Sequence, residues 1–208
     1  VDEIEKFMAK DSPSEAISRI TGWQQEAPTN GTFHHRLGGV LHRCGLIVGA
    51  RKEYLKAIEL GYRDLDVYSD LAESYGGFGG VYGHGFKRDE VVRVCKTATE
   101  TSNDKLGARY MLAAGYLRDQ RGDMYGKKAP YKNAVAVYEA LAAEKPKNTR
   151  PILALGRCYF AAGDYEKSES CFEKAFELDK LSADAQAGKW TCAAFLGPRR
   201  GTLRRALR

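Results

Sequence analysis

The chain has 208 residues, 43% of them hydrophobic, which is enough apolar content for a packed core and too much for a disordered polymer. Its formal charge of +6 is concentrated at one end: Arg199, Arg200, Arg204, Arg205 and Arg208 lie in the acid-free stretch 197–208 and leave the rest at +1, so a broad phosphate-tracking face is excluded outside that tail. No apolar run reaches the roughly eighteen residues that a spanning helix needs.

The first segment, 1–30, opens with VDEIEKFMAK, which has neither the apolar core nor the flanks of a secretory signal. It starts with Val rather than Met, so a processed mature chain or a fragment is expected. Ala16 and Ile20 are followed by Trp23 and then Pro28, a helix stop. Residues 31–64 place Leu37, Gly38 and Leu41 before Gly45, and Ala50, Tyr54 and Ala57 after it. Residues 65–105 carry Leu71, Ala72 and Tyr75, then the glycine-rich GGFGGVYGHGFKRDE at 76–90, then Val91, Cys95 and Ala98. Residues 106–148 carry Leu112, Ala113 and Tyr116, then RGDMYGKKAPY at 121–131, then Ala134, Tyr138, Leu141 and Pro146. In 149–182, Leu155, Gly156 and Tyr159 precede GDY at 163–165, and Ser168, Phe172 and Ala175 follow. A last apolar helix is expected over 183–196, before the basic tail 197–208.

These segments overlay one another. KAFELD at 174–179 falls on KAIELG at 56–61 when Gly156 is set on Gly38, and the second-helix positions Trp23, Ala57, Ala98, Leu141 and Ala175 advance by 34, 41, 43 and 34 residues. A fixed period with small residues at fixed places is the mark of stacked helical pairs. Two antiparallel helices approach closely only where bulk is missing, so Gly38, Ala57, Ala72, Ala98, Gly156 and Ala175 read as packing holes, with Tyr159 and Phe172 as knobs. A mid-helix glycine costs about 1 kcal/mol relative to Ala, which close approach would offset.

The pattern resembles the tetratricopeptide repeat over nearly all of residues 1–196, and the two lengthened turns also resemble its Sel-like relative. The resemblance implies an all-α fold, a TPR-like α-solenoid of antiparallel helix pairs stacked in a right-handed superhelix. The repeats would span about 1–30, 31–64, 65–105, 106–148 and 149–182, with a capping helix at 183–196. Trp190 falls where that cap would otherwise have glycine, so packing there is expected to be looser or shifted.

The two long turns lie in adjacent repeats and would project from one edge, offering Phe78, Tyr82, His84, Phe86 and Tyr125 either as a partner-binding edge or as plain surface turn. Neither is a nucleotide loop. Tyr82 stands where a dinucleotide fingerprint needs its third glycine, and Phe86 follows Gly85 where a P-loop needs Lys. The RGD at 121–123 is taken as coincidence.

In the resembled family, ligands lie along a concave surface lined by the first helices. Carried over by position, that surface holds His35, His42, Arg43, Glu73, Tyr110, Arg118, Arg150, Arg157 and Phe160. Its charge suits a protein or peptide segment with an acidic stretch and an apolar anchor; the alternative is an ordinary solvated face. A chaperone-type carboxylate clamp is not expected, because His35, Gly39 and Asp70 replace its Lys and Asn residues.

No catalytic constellation and no cofactor pattern stand out. His35 and His42 share a helical face but sit about 10 Å apart along it, too far for one metal ion. Five cysteines at wide, irregular spacing point to buried thiols in a reducing compartment, cytoplasm or mitochondrion. The function expected is a non-enzymatic protein-interaction scaffold, a subunit or assembly factor of a larger intracellular complex. The competing expectation is an RNA-associated helical repeat that uses the arginine tail.

Overall fold

The computed structural model describes residue 22 and residues 29–76, 86–119, 121–126 and 128–206, with side chains as far as residue 197. The expected truncated copy with Ala16, Ile20, Trp23 and Pro28, and the loop residues Phe78, Tyr82 and His84, lie outside the described residues. The helices are α1 (Gly31–Arg43), α2 (Ile47–Glu59), α3 (Leu65–Ser74), α4 (Arg88–Thr101), α5 (Lys105–Tyr116), α6 (Tyr131–Glu144), α7 (Thr149–Ala161), α8 (Tyr165–Leu178) and α9 (Ala183–Ala206). The fold is all-α. Among the described residues the only β pairing is an isolated bridge between Arg118 and Met124.

Local chemistry starts and stops these helices in the same way in two places. Asn30 accepts the Phe33 N–H on Oδ1 at 3.1 Å, and Asn148 accepts the Arg150 N–H at 3.1 Å. Each asparagine supplies an acceptor for amides that have no partner within the first turn. Each stands eight residues before a glycine of the pattern, Gly38 or Gly156. At the other end, Gly45 and Gly163 take φ of 75° and 83°. Leu46 N–H then reaches Leu41 O and Asp164 N–H reaches Tyr159 O, both at 2.9 Å. This is the left-handed cap that lets one helix end and an antiparallel one begin within a few residues.

The chain divides into two compact units, Val1–Met111 and Leu112–Arg208. In the first, α1 packs on α2 and α3, α2 on α3, and α3 on α4. Tyr54 fills the space opposite Gly38, where an added Cβ would lie 2.5 Å from its ring. Leu37, Ala50, Ala57, Val67, Tyr68, Ala72, Val91, Cys95 and Ala98 are buried in this unit. In the second, α7 packs on α6, α8 and α9, and α8 on α9. Ile152, Ala175 and Ala185 form a buried cluster there, flanked by Ala142, Leu153, Cys171 and Phe176. Ser168 ties the three last helices together: Cys192 donates its thiol proton to the Ser168 hydroxyl at 3.2 Å, which donates to the Gly156 carbonyl at 2.8 Å.

Three sequence expectations are corrected. Tyr159 is not a buried knob: it is half-exposed, donating its hydroxyl to Glu139 at 3.1 Å, while Phe172 alone occupies the hole at Gly156. The capping helix does not stop at 196 but continues through Gly197 and Pro198 to Ala206, with Leu203, Arg204, Arg205 and Ala206 as the good helix formers of its last turn. At the cap, the glycine that meets α8 is Gly188 rather than residue 190, and a Cβ there would lie 2.5 Å from the Phe172 ring. Trp190 faces outward, 68% exposed. Position 190 corresponds to the side of a first helix that packs on its own second helix, and among the described residues no helix follows α9 to need the space.

Candidate partner-binding cleft

The second unit contains a cleft of about 510 Å³ between α7 and α9. Phe172 lies at its base, reaching it from α8 between Gly156 and Gly188. Phe160 and Ala161 of α7 form one wall, and Ala187, Gly188 and Thr191 of α9 the other. At the mouth the Arg157 guanidinium meets the Asp184 carboxylate at 2.9 Å, with both side chains half-exposed. So exposed a pair contributes little stability and exchanges partners readily. Phe160 is fixed edge-on to Tyr165 and Phe195, each at 5.2 Å between ring centroids, and Tyr165 stacks on Phe195 at 5.0 Å.

Tyr125 enters the same cleft from the turn between α5 and α6. The turn is braced within itself. Asp119 accepts the N–H groups of Arg121 and Asp123 at 2.7 and 3.1 Å, Arg118 donates to the Gly122 carbonyl at 2.8 Å, and Tyr131 donates to the Gly126 carbonyl at 2.8 Å. Tyr125 itself is held at φ 59° with its N–H on the Leu117 carbonyl at 2.8 Å. A left-handed backbone at a bulky residue costs on the order of 1–2 kcal/mol and persists only where its surroundings impose it. The result is a phenol aimed into the cleft, and burial raises the pKa of its hydroxyl.

Arg157, Phe160 and Tyr125 therefore meet in one place, although the first two were read as groove and the last as loop edge. Arg150 lies exposed at the start of α7. Arg118 serves the turn through Gly122, and burial lowers its pKa. Phe86 is half-buried just before α4, and Tyr110 is half-buried on α5.

The first-unit positions behave differently. His42 is corrected: it is only 9% exposed and turns its ring edge to Tyr54 at 6.3 Å, because the apolar side of α1 includes its position. His35 bridges α1 to α3, with Nε2 2.8 Å from Asp70 and its ring stacked on Tyr62 at 5.1 Å. Arg43 is exposed and Glu73 half-buried. His34, which the sequence reading did not single out as a site, is buried with Nδ1 2.6 Å from Glu53.

The sequence reading also missed Asp184, Ala187 and Thr191. A signal for them existed: they stand one 34-residue step after Arg150, Leu153 and Arg157, so carrying the repeat into the cap helix would have found them. The cysteines are buried or half-buried, and burial pushes the Cys95 and Cys158 thiols up to about 12, protonated at neutral pH. Among the described residues no helix is long and apolar enough to cross a membrane.

Comparison with known proteins places this geometry. The family model of the tetratricopeptide repeat matches residues 131–189, which span α6, α7, α8 and the first turns of α9. Comparison with the curated proteins gave no match. Among solved structures, a tetratricopeptide repeat protein from Parabacteroides merdae aligns with a TM-score of 0.62 at 15% identity, covering 98% of this chain and 74% of its own. MamA aligns at 0.56 and 20% identity over 86% of this chain and 96% of its own. YrrB, described as a TPR protein with an unusual peptide-binding site, aligns at 0.57 and 13% identity over 91% and 89%. Identities this low speak to the fold, and they agree with the repeat match: residues 131–189 are tetratricopeptide repeat, and the chain has the tetratricopeptide-repeat fold.

Proposed function

We propose that the chain is a non-enzymatic protein-interaction scaffold that grips a short partner segment in the α7–α9 cleft, as a subunit or assembly factor of a larger intracellular complex. The observation that carries this reading is Tyr125, kept in a costly left-handed conformation at the cleft that Arg157 and Phe160 line. The cleft suits an apolar anchor seated against Phe160, Phe172 and the bare Gly188 backbone. A carboxylate of the partner takes Arg157 from Asp184, an exchange between two half-exposed ion pairs that sets specificity more than affinity. The peptide-binding site of YrrB gives a precedent on this fold. Reduced, protonated thiols fit the cytoplasm or the mitochondrion alike.

Cross-linking mass spectrometry in native extract identifies the neighbour and the contacting surface together. The expected cross-links bracket α7 and α9, and Arg157→Glu releases the captured protein while removal of 197–208 leaves it bound. Retention by Arg157→Glu and by Tyr125→Ala alike sinks the reading. If the captured molecule is instead RNA, lost steeply with salt and lost with 197–208, the arginine-tail reading replaces it.

A further inference from the structure

A second cleft, of about 600 Å³, lies in the first unit at the turn between α1 and α2. Leu41, Leu46, Ile47 and Val48 form its apolar wall, and Arg51 and Lys87 are the charged residues at its edge. Val48 is 67% exposed, Leu46 is 40% exposed, and Leu55, two turns along the same face of α2 as Val48, is 45% exposed. No carboxylate is among the described residues lining it.

The Arg51 guanidinium is held in place by uncharged groups. Arg51 donates Nε–H to the Ser74 hydroxyl at 3.2 Å and a terminal N–H to the Ser74 carbonyl, with its guanidinium 4.3 Å from the Tyr75 ring centroid. Lys87 is exposed, its backbone N–H on the Tyr75 carbonyl at 3.0 Å. Neither forms an ion pair with a described carboxylate.

The repeat supplies a control for the wall. Position 164 of the second unit is Asp, whose side chain caps α8 by accepting the Lys167 N–H at 3.2 Å. Its counterpart in the first unit is Leu46, and α2 begins with no side-chain cap. An aliphatic residue thus stands where a cap would contribute about 1 kcal/mol, and it is left 40% exposed at the cleft.

We propose that this cleft docks a short acidic segment of another protein, with its apolar side chains on Leu41, Leu46 and Val48 and a carboxylate between Arg51 and Lys87. Charge selects the occupant. A basic segment would be driven off by the two cations, and a purely apolar one would desolvate them without return. An acidic apolar segment covers the wall and neutralises both. This surface is separate from the α7–α9 cleft, and neither reading depends on the other.

The test uses the full chain and labelled synthetic peptides, read by fluorescence anisotropy. One set combines Leu and Phe with Asp and Glu, a second replaces the acids by Lys, and a third replaces the apolar residues by Ser. All peptides are measured in an Arg157→Glu background, which removes the cation of the α7–α9 cleft, and the expected result is binding of the first set alone, weakened at least tenfold when Val48→Glu or Lys87→Glu is added. Both substituted side chains are exposed, and far-ultraviolet circular dichroism confirms retained helix; Val48→Ser replaces Val48→Glu if the latter unfolds. The proposal is overturned if the lysine set binds as well, if no acidic apolar peptide binds, or if the variants at 48 and 87 bind like the parent. It is equally overturned if sedimentation shows self-association that Val48→Glu dissolves, since the occupant would then be a second copy.

Discussion

Tyr54 in the first unit and Phe172 in the second stand at the same point of the repeat, each sixteen residues after the glycine it faces, yet they end in different surroundings. Tyr54 is closed in by one glycine and by two imidazoles, His35 at 5.9 Å and His42 at 6.3 Å between ring centroids. Burial, with the nearby charges of Asp70 and Glu73, raises the pKa of its hydroxyl. Phe172 is gripped by a glycine on either side, its ring 3.0 Å from a Cβ added at Gly156 and 2.5 Å from one added at Gly188, and it lies buried at the floor of the cleft. Repeat spacing decides which side chain is the knob. The neighbouring helix decides whether the buried knob also floors a cleft.

The largest way to break the comparison is to remove the knob. Phe172→Ala should cost about 3–5 kcal/mol in urea unfolding of the full chain, the usual range for a buried aromatic, and should also abolish partner binding by enlarging the cleft base. Tyr54→Ala should cost a similar amount and leave binding at α7–α9 unchanged. Equal loss of binding in both would mean that Phe172 is ordinary core.

Filling the holes comes next. Gly38→Leu and Gly188→Ala should each cost roughly 1–3 kcal/mol, because the obstructing atoms are rigid rings at 2.5 Å. Gly156→Ala should cost less than Gly188→Ala: its Cβ would meet the same ring at 3.0 Å rather than 2.5 Å, and Ala gains about 1 kcal/mol of helix propensity to offset the tighter contact. Phe172→Leu should relieve Gly188→Ala and leave Gly38→Leu as costly as before, a coupling of at least about 0.5 kcal/mol in a double-mutant cycle.

Those two glycines show what could be read in advance. Gly38 and Gly156 were visible because a hole and its knob recur at a fixed interval within one repeat. Gly188 was hidden because it serves the preceding repeat's second helix, a contact between repeats that the internal alignment does not carry. Asp184 and Thr191, by contrast, were legible, one 34-residue step after Arg150 and Arg157, once the repeat is carried into the cap helix. Tyr125 was visible as a loop aromatic, but its destination depends on a left-handed residue and a set of backbone bonds that no period records. His42 is a different case: carried by position onto the expected concave line, it is only 9% exposed, with its ring against Tyr54, because burial depends on the neighbouring side chains that position alone does not record.

Tyr125 separates stability from binding. Tyr125→Gly releases about 1–2 kcal/mol of left-handed strain, loses about 0.5–1 kcal/mol to the greater freedom of the unfolded chain and gives up the burial of a half-buried ring, on the order of 1 kcal/mol, so a near-neutral change in stability is expected. Binding at the α7–α9 cleft should weaken at the same time. A variant that is both less stable and fully active would show that the conformation serves the fold.

The smallest effect concerns the position where the two units differ most plainly, Asp164 against Leu46. The Lys167 ammonium, 3.0 Å away, and the Lys167 N–H hold the Asp164 carboxyl below the usual carboxylate range. A depressed folded-state pKa means that the charged form is preferred in the native chain. Its contribution is therefore complete above the ordinary Asp value of about 3.9 and fades as pH falls through the lower folded value. Asp164→Ala should destabilise by about 0.5–1 kcal/mol at neutral pH, near the low end for a cap because the ion pair is screened by solvent. The difference should shrink below about pH 4, when the parent carboxylate also protonates. Asp164→Asn, which keeps the acceptor and drops the charge, should lose less at neutral pH and show a flatter pH profile. Position 46 has no such titration to lose, so Leu46→Ala should give a pH-independent change, and a pH-dependent one would mean that an acid from elsewhere caps α2.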